Sequence, residues 1–184
     1  NLPGRDEKIE EYKQYLRNLG QAGIGYTTYA HMGNGIWSSE REETRGGASS
    51  RAFHLDTAVG SWAGQRFEQP LSHGREYTQD ELWENYTYFI RQVAPVAEEQ
   101  GVRIGIHPDD PPVLKLAGIP RGIFGTFDGY VRAFEIADSP NVGICLCCGC
   151  WLEGGDQMGA STVEAIQEFA RMGNRSNFEG LYFD

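Results

Sequence analysis

The stretch Gly105-Ile106-His107-Pro108-Asp109-Asp110-Pro111-Pro112 predicts a β-strand that ends in a loop rich in proline and carboxylate residues. Large aliphatic residues alternate with others from Val102 to Ile106, so they share one face of an extended chain and His107 lies on the other. Pro108 ends the strand, because proline has no N–H to donate to a neighbouring strand. Ligands bind where the strands of a parallel α/β protein end, so we predict that His107 belongs to a functional site. The alternative is a hydrogen-bonded core histidine.

The residues before this strand predict a helix, a second strand and a long connection. Apolar residues three and four positions apart predict an amphipathic helix over residues 6–19. Residues 24–32 predict a strand in which His31 lies near the end, much as His107 does in its strand. Residues 33–77 contain seven glycines and few periodic apolar residues. Because so long a connection is usually functional, we predict an elaborated loop over a pocket.

Capping residues predict three further helices, which begin at Thr78, Thr126 and Ser161. Strands are predicted over residues 141–147 and again from Leu181. Strands and helices therefore alternate along the chain. Such alternation implies a parallel sheet with right-handed crossover connections.

The two predicted strands around His107 and Cys147 each have one aliphatic face and one small or polar face. Helices would cover the aliphatic face, and the other face suits the interior of a barrel with a polar site at its mouth. We therefore predict an α/β fold of the parallel (β/α) TIM-barrel type, with residues 1–184 in a single domain. On this geometry His107 and Cys147 point into the same mouth. Imidazole and thiolate are both ligands of borderline-soft divalent metals, so the pair is a candidate metal site.

The composition argues against two classes of partner. Lys and Arg number 16 and Asp and Glu number 26, which gives a net charge of −10. That charge repels nucleic-acid backbones and anionic lipid surfaces, so we predict neither nucleic acid nor membrane as a partner. No apolar run approaches the roughly 20 residues that a membrane span needs. The sequence allows a homo-oligomer without indicating one.

All four cysteines lie in the short segment Cys145-Leu146-Cys147-Cys148-Gly149-Cys150. Neighbours this close would join no distant parts of the chain by disulfides, which favours reduced thiols and a cytoplasmic location. A metal knot built from this segment alone is disfavoured, because the segment lacks the second ligand pair of structural zinc sites. Cys145 is predicted to be a small core residue. Cys148 and Cys150 are predicted to be loop residues without a functional role.

Two blocks of the sequence carry a resemblance to a known family. The first runs from Glu84 to Arg103 and continues through the His107–Pro112 segment to Ile119-Pro120-Arg121, and the second is Cys147-Cys148-Gly149-Cys150. The first block resembles the D-mannonate dehydratases of hexuronate breakdown, and the second is similar to the Cys-Thr-Gly-Ser/Thr segment of that family. The resemblance implies a TIM-type barrel like that of the xylose isomerases. It also implies a Mn²⁺ ion, with Fe²⁺ or another divalent ion as the alternative, and conversion of D-mannonate to 2-keto-3-deoxy-D-gluconate.

The resemblance implies that two residues of this chain are metal ligands. His107 matches the first metal-binding histidine of the family, and Cys147 matches its metal-binding cysteine. The family's second histidine and its aspartate have no counterpart among these 184 residues. We therefore expect the chain to be an internal fragment that holds about half of a barrel. After Tyr29 the sequence reads Ala30-His31 where the family commonly has Asn-Phe, which leaves the identity of the sugar acid open.

The expected reaction suggests further site residues. Tyr29 and His31 are predicted to contact the substrate or transfer protons as catalytic residues. Arg45 or Arg121 is predicted to hold the carboxylate of a small sugar acid, because the guanidinium fork matches that group.

Asp109 and Asp110 are predicted either to bind the substrate or to cap their own loop, as Asp often does in turns. Two rival functions remain. One is a metal-dependent sugar isomerase or epimerase of the same barrel class, and the other is a non-catalytic sugar-binding protein.

Overall fold

The computed structural model describes residues 3–121 and 123–173, together with the backbone of residues 181–183. Its helices are α1 (Arg5–Gln21), α2 (Gln79–Gln100), α3 (Phe127–Ala137), α4 (Cys148–Gly154) and α5 (Thr162–Gly173). Its strands are β1 (Tyr26–Tyr29), β2 (Ile36–Ser38), β3 (Glu42–Glu43), β4 (Ser49–Ser50), β5 (Val59–Trp62), β6 (Gln65–Phe67), β7 (Arg103–Ile106), β8 (Lys115–Leu116), β9 (Ile119–Pro120), β10 (Val142–Leu146) and β11 (Leu181–Phe183). Within these described ranges, none of the helices combines the length and the apolar character that a membrane span requires.

The central sheet contains four strands in the order β1-β7-β10-β11, and every neighbouring pair is parallel. Gly105 of β7 lies between Thr28 of β1 and Gly143 of β10. The strand predicted over residues 24–32 is confirmed only for Tyr26–Tyr29. Along the chain, at least one helix lies between each strand of this central sheet and the next. Four strands are half the number in a (β/α) barrel. The predicted fold class is therefore confirmed.

The aliphatic face of β7 and β10 packs against the helices, as the alternation predicts. Ile104, Ile106 and Ile144 are fully buried in the main core. The same core contains Tyr86 of α2 and Tyr130 of α3. The predicted division of each strand into a helix-facing side and an opposite side thus explains how the sheet is covered.

Gly105 allows a close approach on the opposite side of the sheet. A Cβ atom at this position would collide with the ring and hydroxyl of Tyr26. Tyr26 therefore crosses β7 over a residue without a side chain. Any larger residue at position 105 would push this tyrosine away from the sheet.

The three predicted helix starts are confirmed. At α2, Thr78 Oγ1 accepts a hydrogen bond from the Glu81 amide at 3.2 Å, and a Glu81 carboxylate oxygen accepts one from the Thr78 amide at 2.8 Å. This reciprocal pair is a capping box. Ser161 and Glu164 form the same arrangement before α5. Thr126 Oγ1 accepts from the Gly129 amide at 3.1 Å at the start of α3.

The segment 33–77 is not a plain loop. It contains a three-stranded antiparallel sheet of order β2-β5-β6 and the separate strand pair β3–β4. These strands have only two to four residues, which is too short for a recognisable alternation. Trp37 and Phe67 of this segment form a second core with Leu116 and Ala117 of the β8–β9 hairpin. The segment is thereby anchored to the loop that follows His107.

Candidate metal centre

His107 lies directly after β7, where its backbone amide donates to the Tyr29 carbonyl at 2.8 Å. Its ring Nδ1 lies 2.7 Å from the Pro108 carbonyl oxygen. A carbonyl can only accept, so Nδ1 carries the proton and the lone pair of the neutral ring is on Nε2. A metal-binding histidine usually has this arrangement, with its other ring nitrogen hydrogen-bonded to a carbonyl. The loop thus sets His107 in a tautomer that can bind a metal.

Cys147 lies at the end of β10 and is the residue before α4. It is half-buried, and its position relative to His107 follows from the parallel pairing of β7 with β10. The structure therefore brings together the two residues that the sequence analysis predicts as a metal pair. Cys145, which is buried inside β10, is placed as the predicted core residue.

Cys150 lies beside His107 and Cys147. The sequence pattern predicts the pair but not this third residue. The Sγ atoms of Cys147 and Cys150 and one ring nitrogen of His107 all lie within 4.8 Å of one another. Cys150 is not a loop residue, because it lies in the first turn of α4 and is 5% exposed. The pKa of the Cys150 thiol is raised well above its ordinary value. Burial is the largest cause, and a hydrogen bond with Cys147 is the second. The two-residue gap between Cys147 and Cys150 is a metal-binding spacing that could have indicated the pair.

A cavity of about 820 Å³ adjoins this cluster. Cys147 and Cys150 line one side together with Asp110 and Pro111, and parts of the segment 33–77 line the other. Cavities that bind small molecules commonly have volumes of about 300–1,000 Å³. The predicted placement of the 33–77 segment over a pocket agrees with this lining.

Two arginines of the 33–77 segment, Arg41 and Arg51, line the cavity. Arg41 is held by Ser49, because its Nε donates to the hydroxyl at 2.9 Å and its Nη2 donates to the carbonyl at 2.6 Å. Arg51 is exposed at the cavity wall. Arg45, which the sequence analysis predicts to bind the substrate, is exposed in a single 3-10 turn and does not line the cavity. Its predicted role stays a prediction.

Arg121 is buried behind the cavity wall. Its Nη1 donates to Asn34 Oδ1 at 3.0 Å, and its Nη2 donates to the Asp110 carbonyl at 2.9 Å. Nε has no hydrogen-bond partner among the described residues. Both terminal nitrogens of Arg121 thus donate to other residues of the protein, and these bonds hold the loop after His107 against the start of the 33–77 segment. Its predicted role in holding a substrate carboxylate also stays a prediction.

The two carboxylates after His107 lie in different environments. Asp110 is exposed and lines the cavity. Asp109 is 3% exposed, and its backbone amide donates to the Phe124 carbonyl at 3.0 Å. Burial raises the pKa of Asp109 to about 7, although the charge of Arg121 acts in the opposite direction. Of the two, Asp110 has the position expected of a residue that contacts a substrate.

Tyr29 and His31 lie against helices and bond to each other. The Tyr29 ring stacks on Phe89 of α2 with centroids 4.8 Å apart, and its hydroxyl bonds to Nδ1 of His31. The His31 ring meets Tyr86 and Phe124 edge to face. Burial lowers the pKa of His31 to about 4, so its ring is neutral at pH 7. These contacts describe a packed pair, and the predicted catalytic role of Tyr29 and His31 remains a prediction.

Comparisons with known proteins identify relatives of this chain. A mannonate dehydratase from Streptococcus pneumoniae (strain 70585) is 33% identical over an alignment 194 residues long. The alignment covers 96% of this chain and 51% of that protein. A mannonate dehydratase from Shouchella clausii is 34% identical over 177 residues, which cover 80% of this chain and 48% of that protein. The chain thus spans about half the length of the curated relatives that it matches.

A solved structure agrees with this relationship. The crystal structure of mannonate dehydratase from Streptococcus suis serotype 2 superimposes with a TM-score of 0.73 at 28% sequence identity. The matched region covers 99% of this chain and 49% of that one. The family model for D-mannonate dehydratase (UxuA) matches residues 61–181, which is about two thirds of the chain. The chain therefore belongs to the D-mannonate dehydratase family.

Proposed function

We propose that this protein is a metal-dependent hydro-lyase that converts D-mannonate to 2-keto-3-deoxy-D-gluconate. The observation that carries the proposal is the meeting of His107 with Cys147 beside a cavity of suitable size for a sugar acid. Membership of the D-mannonate dehydratase family supports the choice of substrate and reaction. The predicted cytoplasmic location stays a prediction, and neither the sequence nor the structure indicates an oligomeric state.

The residues of this chain fit a divalent transition metal. His107 presents an imidazole in the tautomer that metals bind, and Cys147 presents a thiol that becomes a thiolate ligand. These two residues would hold the ion, for which Mn²⁺ and Fe²⁺ are the predicted choices. When bound, the ion supplies Lewis-acid stabilisation of the negative charge that develops as the proton next to the substrate carboxylate is removed.

The cavity walls supply groups that suit an anionic polyhydroxy acid. The chain has a net charge of −10, so an anionic substrate needs local cations to bind. Arg51 and Arg41 provide them on the 33–77 side of the cavity. Asp110 lies on the other side, where its carboxylate can accept hydrogen bonds from sugar hydroxyls. We therefore assign carboxylate binding to Arg51 and hydroxyl recognition to Asp110.

The proposal is tested with purified protein, D-mannonate and Mn²⁺. The expected product is a 2-keto-3-deoxy acid, detected by the periodate–thiobarbiturate reaction and identified by mass spectrometry from the loss of one water. Formation of an isomer of unchanged mass would instead indicate an isomerase or epimerase. Binding of D-mannonate without turnover would indicate a sugar-binding protein. Either result would contradict the proposed reaction.

Cys147→Ser tests the metal ligand. The expected result is loss of activity together with a fall of at least about tenfold in metal affinity, since loss of an outer-shell partner alone costs about 10- to 100-fold. Cys148→Ser is the matched control, because the Cys148 thiol faces the Leu146 carbonyl at 3.9 Å. Unchanged metal content and activity in Cys147→Ser would remove this cysteine from the site.

A further inference from the structure

We propose that Cys150 is a metal ligand in addition to His107 and Cys147, and that this second thiolate makes the centre prefer Zn²⁺ over Mn²⁺. The inference rests on the metal site of the proposed function and does not depend on the reaction. It concerns Cys150, a residue to which the sequence pattern assigns no role, and it is argued from the positions of this chain's own side chains.

The backbone explains why the two thiols lie on the same side. Cys147 follows β10 as the N-cap of α4, and its carbonyl accepts from the Trp151 amide at 3.1 Å, which closes the first turn of the helix. Residues three apart on a helical turn are neighbours on one face. Cys147 and Cys150 are such a pair. A two-residue gap between cysteines is also the spacing that many zinc sites use.

The ligand atoms of all three residues are already close. Those of His107, Cys147 and Cys150 lie within 4.8 Å of one another. A tetrahedral zinc ion has bonds of about 2.0 to 2.3 Å, which requires ligand atoms roughly 3.5 to 3.8 Å apart. Only a small inward movement separates the structure from that spacing. Both cysteines also line the cavity, so the space beside them is open to a fourth ligand or a substrate oxygen.

The burial of Cys150 separates it from an incidental surface thiol. Its side chain is 5% exposed, and it lies on the cavity side of α4 beside the half-buried Cys147. Cys148, the remaining cysteine of this turn, has its sulfur near the Leu146 carbonyl. Cys148 is not part of the three-residue cluster. The turn of residues 147–150 thus contains two thiols at the cluster and one outside it.

The donor set determines the preferred ion. Mn²⁺ is suited by carboxylate, carbonyl and water oxygens, whereas thiolates select softer ions such as Zn²⁺. With a serine at position 150 the described part of the site would offer one sulfur and one nitrogen. With Cys150 it offers two sulfurs and one nitrogen. This change favours Zn²⁺, which already binds more tightly than Mn²⁺ to most sites.

The experiment compares Cys150→Ser with Cys148→Ser under reducing conditions. Zn²⁺ and Mn²⁺ affinities are measured by competition with chelators in the wild type and both variants. We expect Cys150→Ser to weaken Zn²⁺ binding by at least about tenfold and to change Mn²⁺ binding much less. Cys148→Ser is expected to match the wild type for both ions. Equal Zn²⁺ affinity in the two variants would overturn the inference.

Cobalt substitution gives a readout of the ligand atoms themselves. Co²⁺ bound by thiolates absorbs in the near ultraviolet through sulfur-to-metal charge transfer. The intensity per bound Co²⁺ should fall by roughly half in Cys150→Ser, because one of two thiolates is lost. It should stay unchanged in Cys148→Ser. Equal intensity per ion in the wild type and Cys150→Ser would exclude Cys150 from the coordination sphere.

A measurement on the wild-type protein keeps the test decisive if Cys150→Ser fails to fold. The zinc K-edge X-ray absorption fine structure of the zinc-loaded protein counts the sulfur atoms at about 2.3 Å from the ion. We expect two sulfur atoms in the wild type and also in Cys148→Ser. A single sulfur atom would overturn the role of Cys150 while leaving the proposed function intact. Absence of dehydratase activity with two sulfur atoms bound would instead contradict only the proposed reaction.

Discussion

The guanidinium of Arg121 donates through Nη1 to Oδ1 of Asn34 at 3.0 Å, and these two side chains are only 2% and 1% exposed. Asn34 in turn donates to the Leu116 carbonyl at 3.0 Å, while Arg121 Nη2 donates to the Asp110 carbonyl. The pair therefore joins the start of the 33–77 segment to the loop after His107. Both of these segments line the cavity, so the Arg121–Asn34 pair fixes the distance between its walls.

Replacing Asn34 with Ala should destabilise the protein by about 1 to 3 kcal/mol, because Arg121 Nη1 and the Leu116 carbonyl would lose their buried partner. The free energy of unfolding is measured by urea denaturation. The control is Asn18→Ala, which removes an exposed hydrogen bond on α1 and should change stability by less than about 0.5 kcal/mol. Similar midpoints for the two variants would show that the buried pair contributes little to stability.

Gly105→Ala tests the close approach of Tyr26 to β7. The added methyl group would overlap the Tyr26 ring, so we expect a loss of about 1 to 3 kcal/mol from overpacking. Thermal unfolding provides the measurement. Gly25→Ala is the control, because its Cβ would make only an ordinary contact, 3.7 Å from the Gly101 carbonyl oxygen. A Gly105→Ala protein as stable as Gly25→Ala would contradict the described placement of Tyr26.

The lowered pKa of His31 predicts a pH-dependent stability. The folded-state pKa is about 4 and the unfolded value is 6.5, so the unfolded chain takes up the proton first as the pH falls. The stability that His31 contributes is therefore complete above pH 6.5 and is lost as the pH falls towards 4. His31→Asn removes this loss, because asparagine does not titrate. When the pH is lowered from 7.5 to 5, the free energy of unfolding of the variant should rise by about 1 to 2 kcal/mol relative to that of the wild type.

Metal-free protein is used for this measurement, with denaturant unfolding at each pH. Asp109 has the opposite dependence, because its raised pKa makes stability fall as the pH rises towards 7. That contribution is present in both proteins and cancels in the comparison. His73→Asn, at an exposed histidine, is the matched variant. The interpretation fails if His31→Asn and His73→Asn show the same pH profile.

Arg51 and Arg45 can be compared directly as substrate-binding residues. Arg51 lines the cavity and Arg45 does not, so Arg51→Met should raise the KM for D-mannonate by about tenfold or more and Arg45→Met should have the smaller effect. Arg66→Met is the control, since Arg66 is exposed on β6 outside the cavity lining. Steady-state kinetics with Mn²⁺ gives the KM values. A larger effect at Arg45 would support the prediction made from the sequence.

Local signals account for what the sequence predicts well. The capping boxes at Thr78 and Ser161 depend on residues only three positions apart, and both are present in the structure. The meeting of His107 with Cys147 follows from two strand ends in one parallel sheet, which alternation alone can indicate. These features need no knowledge of distant contacts.

The remaining features depend on contacts that periodicity does not contain. The pairing of β3 with β4 involves two residues from each strand, and it determines which arginines of the 33–77 segment face the cavity. Arg121 has acceptors on Asn34 and Asp110, which the sequence separates by many residues. The sequence predicts Cys150 as a loop residue, because the short helix α4 has no apolar periodicity of its own.

The second core, formed by Trp37, Ala58, Phe67, Leu116 and Ala117, makes the 33–77 segment a structural module with its own interior. Arg41 and Arg51 belong to this module, whereas His107 and Cys147 directly follow strands β7 and β10 of the central sheet. The proposed metal ligands and the proposed substrate-binding arginines thus lie in parts of the chain that pack around different cores. Substitutions can therefore accumulate in one part without repacking the other.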